Sequence, residues 1–310
     1  MTELILHHYW PSPVSEKVRV VLGIKNATWH SVEIPRLPPK PDLMPLTGGY
    51  RLTPVLQVGA DVYCDSRAIN RALQSLIPEP TLYPGGADGM AWGVGEWIDG
   101  PLFKLVISAV FADTAETMPD GFWEDRGRLY FGGIPDAEGA IAALPDILAK
   151  IRAQFGWMDD RLAGGRQFML GTEPGLPDAL AYHLVWFLRG RFSGGPALID
   201  PFKNLCAWEQ RVAAIGHGAH HDMTAEAALG IAKNSEPSAS VSIDPDDPQG
   251  FNEGTPVTVA PESSDGSPPV SGILVGLNRH GIAIRREHER VGNIVNHYPR
   301  VGYNLAAADS

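Results

Sequence analysis

The sequence is poor in cysteine, carries an excess of acid over base, and has no long apolar run. Its 310 residues include two cysteines, Cys64 and Cys206, far apart and outside any CxxC pair. That excludes a disulfide framework and a thiolate zinc site. Lys and Arg number 25 against 36 Asp and Glu, a formal net charge of −11. A general binder of phosphate backbones needs a basic face, so no nucleic-acid partner is expected. No stretch reaches the ~18 uninterrupted apolar residues that a membrane span requires. The opening MTELILHH lacks a basic segment ahead of a long apolar one, so no signal peptide is expected. These absences point to a cytoplasmic protein with no membrane partner.

What is present is enough for a sizeable core: 44% of the residues are hydrophobic, in a chain long enough for two or three domains. Residues 1–82 mix short patterns. Leu4-Ile5-Leu6 reads as a buried strand ending near Tyr9, and Val14, Val18, Val21 and Leu22 lie on one face of a helix. His30, Val32 and Ile34 alternate as in a second strand. Val55–Val58 and Val62-Tyr63 form a hairpin about Gly59, and Ile69, Ala72, Leu73 and Leu76 mark a helix opened by Asp65-Ser66. The order is β-α-β and then β-β-α, a compact α/β unit.

Helical spacing dominates residues 87–232. The clearest run is Ile141, Leu144, Ile147, Leu148, Ile151, Phe155, Met158 and Leu162, and Pro177-Asp178 opens another helix. This zone reads as an all-α bundle. The segment SEPSASVSIDPDDPQG then reads as a linker or crossover. In 250–310, Val257 and Val259 alternate, as do Ile273, Val275 and Leu277, then Ile282 and Ile284, then Ile294. Turn signals at Asp265-Gly266, Asn278, Gly281 and Gly292 separate them, so a small antiparallel β module is expected. At that size it needs a neighbour to pack on, and the helices are the expected one.

Three motifs in the first zone carry a resemblance. Ser12-Pro13-Val14-Ser15-Glu16-Lys17-Val18-Arg19 follows the first strand and opens the first helix. Thr53-Pro54-Val55-Leu56 precedes the hairpin, and Asp65-Ser66 precedes the next helix. In this order and context they resemble the glutathione transferase superfamily over roughly residues 1–230. The resemblance implies a thioredoxin-like domain at 1–82, an all-helical substrate domain at 87–232, and an additional all-β module of unassigned role. It also implies glutathione as cosubstrate, a small electrophilic partner substrate and a homodimer, with no metal. Two segments depart from the family pattern. Residues 45–52, PLTGGYRL, replace the usual N-P-x-G, which bears on glutathione affinity. Gly175-Leu176-Pro177-Asp178 replaces the helical domain's usual cap, though Asp178 at N3 can still cap with Gly175 as N-cap.

By resemblance, Ser12 stabilises the glutathione thiolate, with Ser15 or Tyr9 as the alternatives. The chemistry is plausible in magnitude. An ordinary thiol, pKa about 8.5, is only a few percent ionised at neutral pH, and lowering that by about two units takes roughly 2.7 kcal/mol. A helix N-terminus supplies about 0.3 to 1 kcal/mol and a hydroxyl hydrogen bond to a charged acceptor about 1.5 to 3. Ser12 stands where both act. The plain alternative is that Ser12 and Ser15 only cap the helix. Serine in place of cysteine excludes thiol–disulfide exchange through this residue.

Thr53-Pro54 is expected to be a cis bond whose neighbouring backbone pairs with the cysteinyl part of glutathione, the alternative being an ordinary trans turn. Asp65 and Ser66 would hold the γ-glutamyl end, or merely cap a helix. Lys40 would meet the glycyl carboxylate, or stand as a solvated surface lysine. His217, His220 and His221 fit a solvated helix end better than a metal site. Arg285, Arg286 and Arg290, interleaved with Glu287 and Glu289, read as a mixed strand edge. Two other functions share this fold: a catalytically silent binding or scaffolding protein, and a glutathione-dependent lyase or isomerase.

Overall fold

The computed structural model describes residues 3–263 and 267–308, so the Asp265-Gly266 turn lies outside the described residues. The chain begins with β1 (Ile5–His8), α1 (Pro13–Ile24), β2 (Thr28–Glu33), α2 (Met44–Thr47), β3 (Val55–Val58), β4 (Asp61–Cys64) and α3 (Ser66–Leu76). The helical region follows as α4 (Asp88–Trp97), a π-helical turn at Ile98–Leu102, α5 (Phe103–Thr114), α6 (Asp120–Phe131), α7 (Ala137–Leu162), α8 (Leu176–Arg191), α9 (Gly195–Ile199) and α10 (Lys203–Ile215). Last come β5 (Ala219–Asp222), α11 (Ala225–Lys233), β6 (Pro256–Pro261), β7 (Val270–Asn278), β8 (Gly281–His288), β9 (Gly292–Pro299) and β10 (Tyr303–Ala307). The thioredoxin-like, helical and β-rich regions expected from the sequence are all present.

The chain groups into two compact units. One holds residues 1–15, 28–75 and 219–310, the other 16–27 and 76–218. The first contains a single ten-stranded sheet in the order β10-β6-β7-β8-β9-β4-β3-β1-β2-β5. The β module therefore continues the sheet of the first four strands. β9 runs parallel to β4, with Val62 opposite Asn296, and so covers the row of backbone groups that an edge strand leaves unpaired. One core runs through both halves of the sheet, from Val55, Val62 and Cys64 to Leu274, Ile284 and Ile294, with Ala228 and Leu229 of α11 included.

The segment read as a linker is also tied down. Asp61 Oδ2 accepts the Ser238 and Ala239 N–H groups at 2.7 and 2.9 Å, and Oδ1 meets His297 Nε2 at 2.8 Å. Further on, Asp244 N–H donates to the Leu277 carbonyl at 2.7 Å. In β7 the expected inward set Ile273, Val275 and Leu277 is altered by a bulge between Leu274 and Gly276. One extra residue reverses the alternation, so Leu274 and Leu277 are buried while Ile273 and Val275 are half-buried. Gly276 sits at the bulge, where a Cβ would come 2.9 Å from Val241 Cβ.

In the second unit, only the C-terminal half of α7 buries its stripe, through Ile151, Phe155, Met158 and Leu162, while Ile141 is 43% exposed. The departed cap of α8 works as expected. Asp178 accepts the Gly175 N–H at 2.9 Å, and also the Met169 N–H at 2.8 Å and Trp208 Nε1–H at 2.7 Å. Burial pushes its carboxyl up to about 6 despite those three donors.

Candidate functional site

Topology gathers the sequence motifs at one end of the sheet. β1 and β3 are antiparallel with His7 opposite Val55, and β3 and β4 are antiparallel with Val55 opposite Cys64. The segments that leave β1, enter β3 and leave β4 therefore emerge together. They carry Tyr9 and Ser12, Thr53-Pro54, and Asp65-Ser66 respectively. Because β9 is parallel to β4, the turn from β9 into β10 emerges at that end as well.

Ser12 is the N-cap of α1. Its Oγ accepts the Ser15 N–H at 3.1 Å, Pro13 is the first helical residue, and the Ser12 N–H donates to the Tyr9 carbonyl at 3.1 Å. The capping alternative is thus realised, but it uses a lone pair and not the hydroxyl proton. Among the described residues that proton is given to no acceptor. Ser12 is only 2% exposed. Ser15, one turn into the helix, is fully buried and its hydroxyl has no hydrogen-bond partner among the described residues. Tyr9 is half-buried.

The Thr53-Pro54 bond is cis and lies just ahead of β3. Lys40 is not a solvated surface lysine. It is buried, with Nζ donating to the Arg51 carbonyl and to Thr53 Oγ1, both at 2.9 Å. It therefore ties the loop after β2 to the residue preceding the cis-proline.

Asp65 has φ +78°, left-handed and uncommon for a side-chain-bearing residue. Its Oδ1 accepts the Arg67 N–H at 2.8 Å and its carbonyl accepts the Ile69 N–H at 3.0 Å, so it caps α3. Ser66 is the first residue of α3, 5% exposed, and its hydroxyl makes no hydrogen bond among the described residues. Its neighbour Cys64 is fully buried, and burial pushes its thiol up to about 12. It is a core residue and not a nucleophile.

Leu46 and Gly48, within the 45–52 stretch that departs from the family pattern, and Asp42 just before it are occupied in holding the β module. α2 ends at Gly48, φ +71°, where a Cβ would lie 2.4 Å from Arg286 Cζ and 2.7 Å from Val270 Cγ1. Asn296 Nδ2 donates to the Leu46 carbonyl at 2.8 Å, its Oδ1 accepts from Arg286 Nη1 at 3.1 Å, and Arg290 pairs with Asp42 at 2.7 Å. The basic residues of the last zone thus do not form one solvated edge: Arg286 turns inward and Arg290 is paired. No sequence signal points to Asn296 or Asp61, and Arg286 stands out only as part of a basic cluster. Tyr303 had one signal, its alternation with Leu305 in a strand too short to stand out.

The histidines do not share a helix face. His217 Nε2 lies 2.9 Å from Glu16 Oε1 in the second unit. Burial alone would raise the Glu16 carboxyl, but the hydrogen bond to His217 and the charge of Arg19 hold it below its ordinary value. His220 and His221 lie on β5, where the His220 ring is 5.1 Å from that of Trp29. No group of three or more His, Cys, Asp or Glu is placed to hold a metal among the described residues.

Comparison with known proteins places this geometry. Residues 11–76 match the family model "Glutathione S-transferase, N-terminal domain" and 141–211 match "Glutathione S-transferase, C-terminal domain". A GST-like protein of Pseudomonas syringae, solved by crystallography, is 34% identical with a TM-score of 0.78, and the match covers 99% of this chain and 100% of that one. The β module is therefore common to both. A probable glutathione S-transferase of rice, Oryza sativa subsp. japonica, is 28% identical over 227 residues, 68% of this chain and 85% of its own. A maleylpyruvate isomerase of a Ralstonia species is 30% identical over 86 residues, 27% of this chain and 41% of that protein. The motifs, the fold they sit on and the full-length match together make this chain a member of the glutathione S-transferase superfamily.

Proposed function

We propose that the protein is a glutathione transferase that activates the glutathione thiolate for attack on a small apolar electrophile. The observation that carries this reading is Ser12: a hydroxyl at the N-terminus of α1 whose lone pair is engaged by Ser15 N–H and whose proton remains to be given. In this mechanism the thiol proton passes to solvent and the Ser12 O–H donates to the resulting thiolate, with the N-terminal N–H groups of α1 adding to the stabilisation. A sulfur lone pair then forms the C–S bond, and the leaving group departs with its bonding pair or the adduct takes up a proton. Thr53 and the backbone beside the cis bond align the cysteinyl part. Asp65 and Ser66 hold the γ-glutamyl ammonium and carboxylate, and Lys40 acts by fixing Thr53. Membership of the superfamily supports a homodimer; among the described residues no helix is long and apolar enough to cross a membrane.

Three observations favour other readings. Ser12 is nearly enclosed, and Asp42, Leu46 and Gly48 are engaged by the β module; both suit a silent scaffold. The identity to a maleylpyruvate isomerase suits an isomerase or lyase. Calorimetric titration of glutathione, followed by assay with an apolar electrophile, separates the three. The proposal expects saturable binding and loss of free thiol equal to product formed. Turnover that returns the glutathione unconsumed identifies an isomerase, and no binding at millimolar glutathione leaves the scaffold.

A further inference from the structure

We propose that Tyr303, in the β module, is a positioning residue for glutathione, acting through Asp65. This rests on the functional reading above. The phenol Oη of Tyr303 lies 3.3 Å from Asp65 Oδ2, while Oδ1 of the same carboxylate is held by the Arg67 N–H at 2.8 Å. Each oxygen thus has its own donor, one from the helix that Asp65 caps and one from a strand 238 residues further along the chain. Asp65 needs the second hold. It sits at φ +78°, a backbone state that L-residues keep only when their surroundings impose it. The Arg67 guanidinium is 3.9 Å from Oδ2, too far for a hydrogen bond.

Tyr303 is itself well fixed. It is 3% exposed, and its ring lies 5.5 Å from that of Tyr298, which in turn meets Tyr50 edge-on at 6.2 Å. Tyr50 belongs to the 45–52 segment that departs from the family pattern. Gly302, just before Tyr303, has φ +88°, and a Cβ there would lie 3.7 Å from Arg67 Nη1, so the strand entry is laid close over the first turn of α3. The Tyr303 hydroxyl also hydrogen-bonds the Tyr50 side chain, so its one proton stands between Tyr50 and the carboxylate proposed to bind the γ-glutamyl ammonium, 3.3 Å away. The module thereby supplies part of the second layer of the site: Tyr303 fixes the direction of Oδ2, leaving the remaining lone pairs of Asp65 for the ligand.

The test compares glutathione with its deaminated analogue, in which a glutaryl group replaces the γ-glutamyl group, by calorimetry on the full chain as wild type and as Tyr303→Phe. If Tyr303 acts through the Asp65–ammonium contact, wild type prefers glutathione, and Tyr303→Phe reduces that preference about fivefold, the scale of one hydrogen bond. A general loosening of the fold would weaken both ligands by the same factor and leave the ratio unchanged, which overturns the proposal. A wild type without any preference overturns it too, because Asp65 then does not hold the ammonium. If wild type binds neither ligand, the transferase reading falls and takes this inference with it; binding by wild type with an unchanged ratio in the variant removes the inference alone.

Discussion

The two halves of the ten-stranded sheet are built under different constraints. In β1 to β4 the strands are four to six residues long and separated by helices and loops, and the residues at their ends form the candidate site. In β6 to β9 the strands follow one another as antiparallel neighbours, and β10 returns to pair antiparallel with β6. Local alternation suffices to make the second half a set of strands. Its position against the first half, however, is decided by a few side chains distant in sequence: Asp61 with His297, Leu46 with Asn296, Asp65 with Tyr303. A site can thus be read from one half of a sheet while its supports are hidden in the other.

The join between the halves is where substitution should cost most. Asp61→Ala removes a buried carboxylate from four donors: the His297 ring, the Ser238 N–H and hydroxyl, and the Ala239 N–H. It should lower the unfolding free energy in urea by about 3 to 5 kcal/mol, because the partners stay buried without an acceptor. A loss below about 1 kcal/mol would show that the halves do not depend on this contact. Gly48→Ala comes next. It sets a Cβ at φ +71° against Arg286 and Val270, and should cost about 2 to 3 kcal/mol.

Two buried aspartates sharpen the comparison through pH. Burial pushes Asp61 up, but His297 and the Ser238 and Ala239 N–H groups outweigh it and hold the carboxyl below its ordinary value. Its stabilising contribution is therefore present above the unfolded pKa near 4 and is lost as pH falls through the lower folded value. Asp178 has three donors but no cationic partner, and burial leaves it at about 6. Here the folded state binds the proton more tightly than the unfolded one, so this residue's contribution declines as pH rises from about 4 to 6, by roughly 3 kcal/mol. Unfolding curves across pH 3 to 7 should show Asp178→Asn flattening that decline and Asp61→Asn reducing the loss on acidification; the same change of slope in both variants would contradict the assignment. The smallest effect belongs to the Arg290–Asp42 pair, whose side chains are 42% and 47% exposed. Arg290→Ala should move stability by no more than about 0.5 kcal/mol, and salt should screen even that.

Much of the first half was legible because backbone chemistry demands particular residues there. Ser12-Pro13 starts a helix, Thr53-Pro54 stands at a cis bond, and Asp65-Ser66 caps another helix. The burial and engagement of Lys40 were not legible, because its partners, Arg51 O and Thr53 Oγ1, are set by loop closure and not by spacing. The bulge in β7 was missed for a similar reason: one inserted residue leaves the apolar count intact and exchanges the faces. The spacing does not show β5 within the helical zone because Ala219–Asp222 has no alternation of its own and is exposed throughout; it is placed by pairing with β2 and by the His220 ring against Trp10 and Trp29. Residues 45–52 looked like a loss of family pattern. In the fold they are the seat of the β module.

The account rests most on Ser12 as the group that stabilises a bound thiolate. The direct measurement is the pKa of glutathione bound to the protein, followed by thiolate ultraviolet absorbance across pH, in wild type beside Ser12→Ala. The prediction is a bound thiol pKa about two units below the free value in wild type, most of which is recovered toward the free value in the variant. A lowered pKa that the substitution leaves in place would move the role to Ser15 or Tyr9, and a bound thiol that titrates as it does in water would contradict thiolate activation at this site.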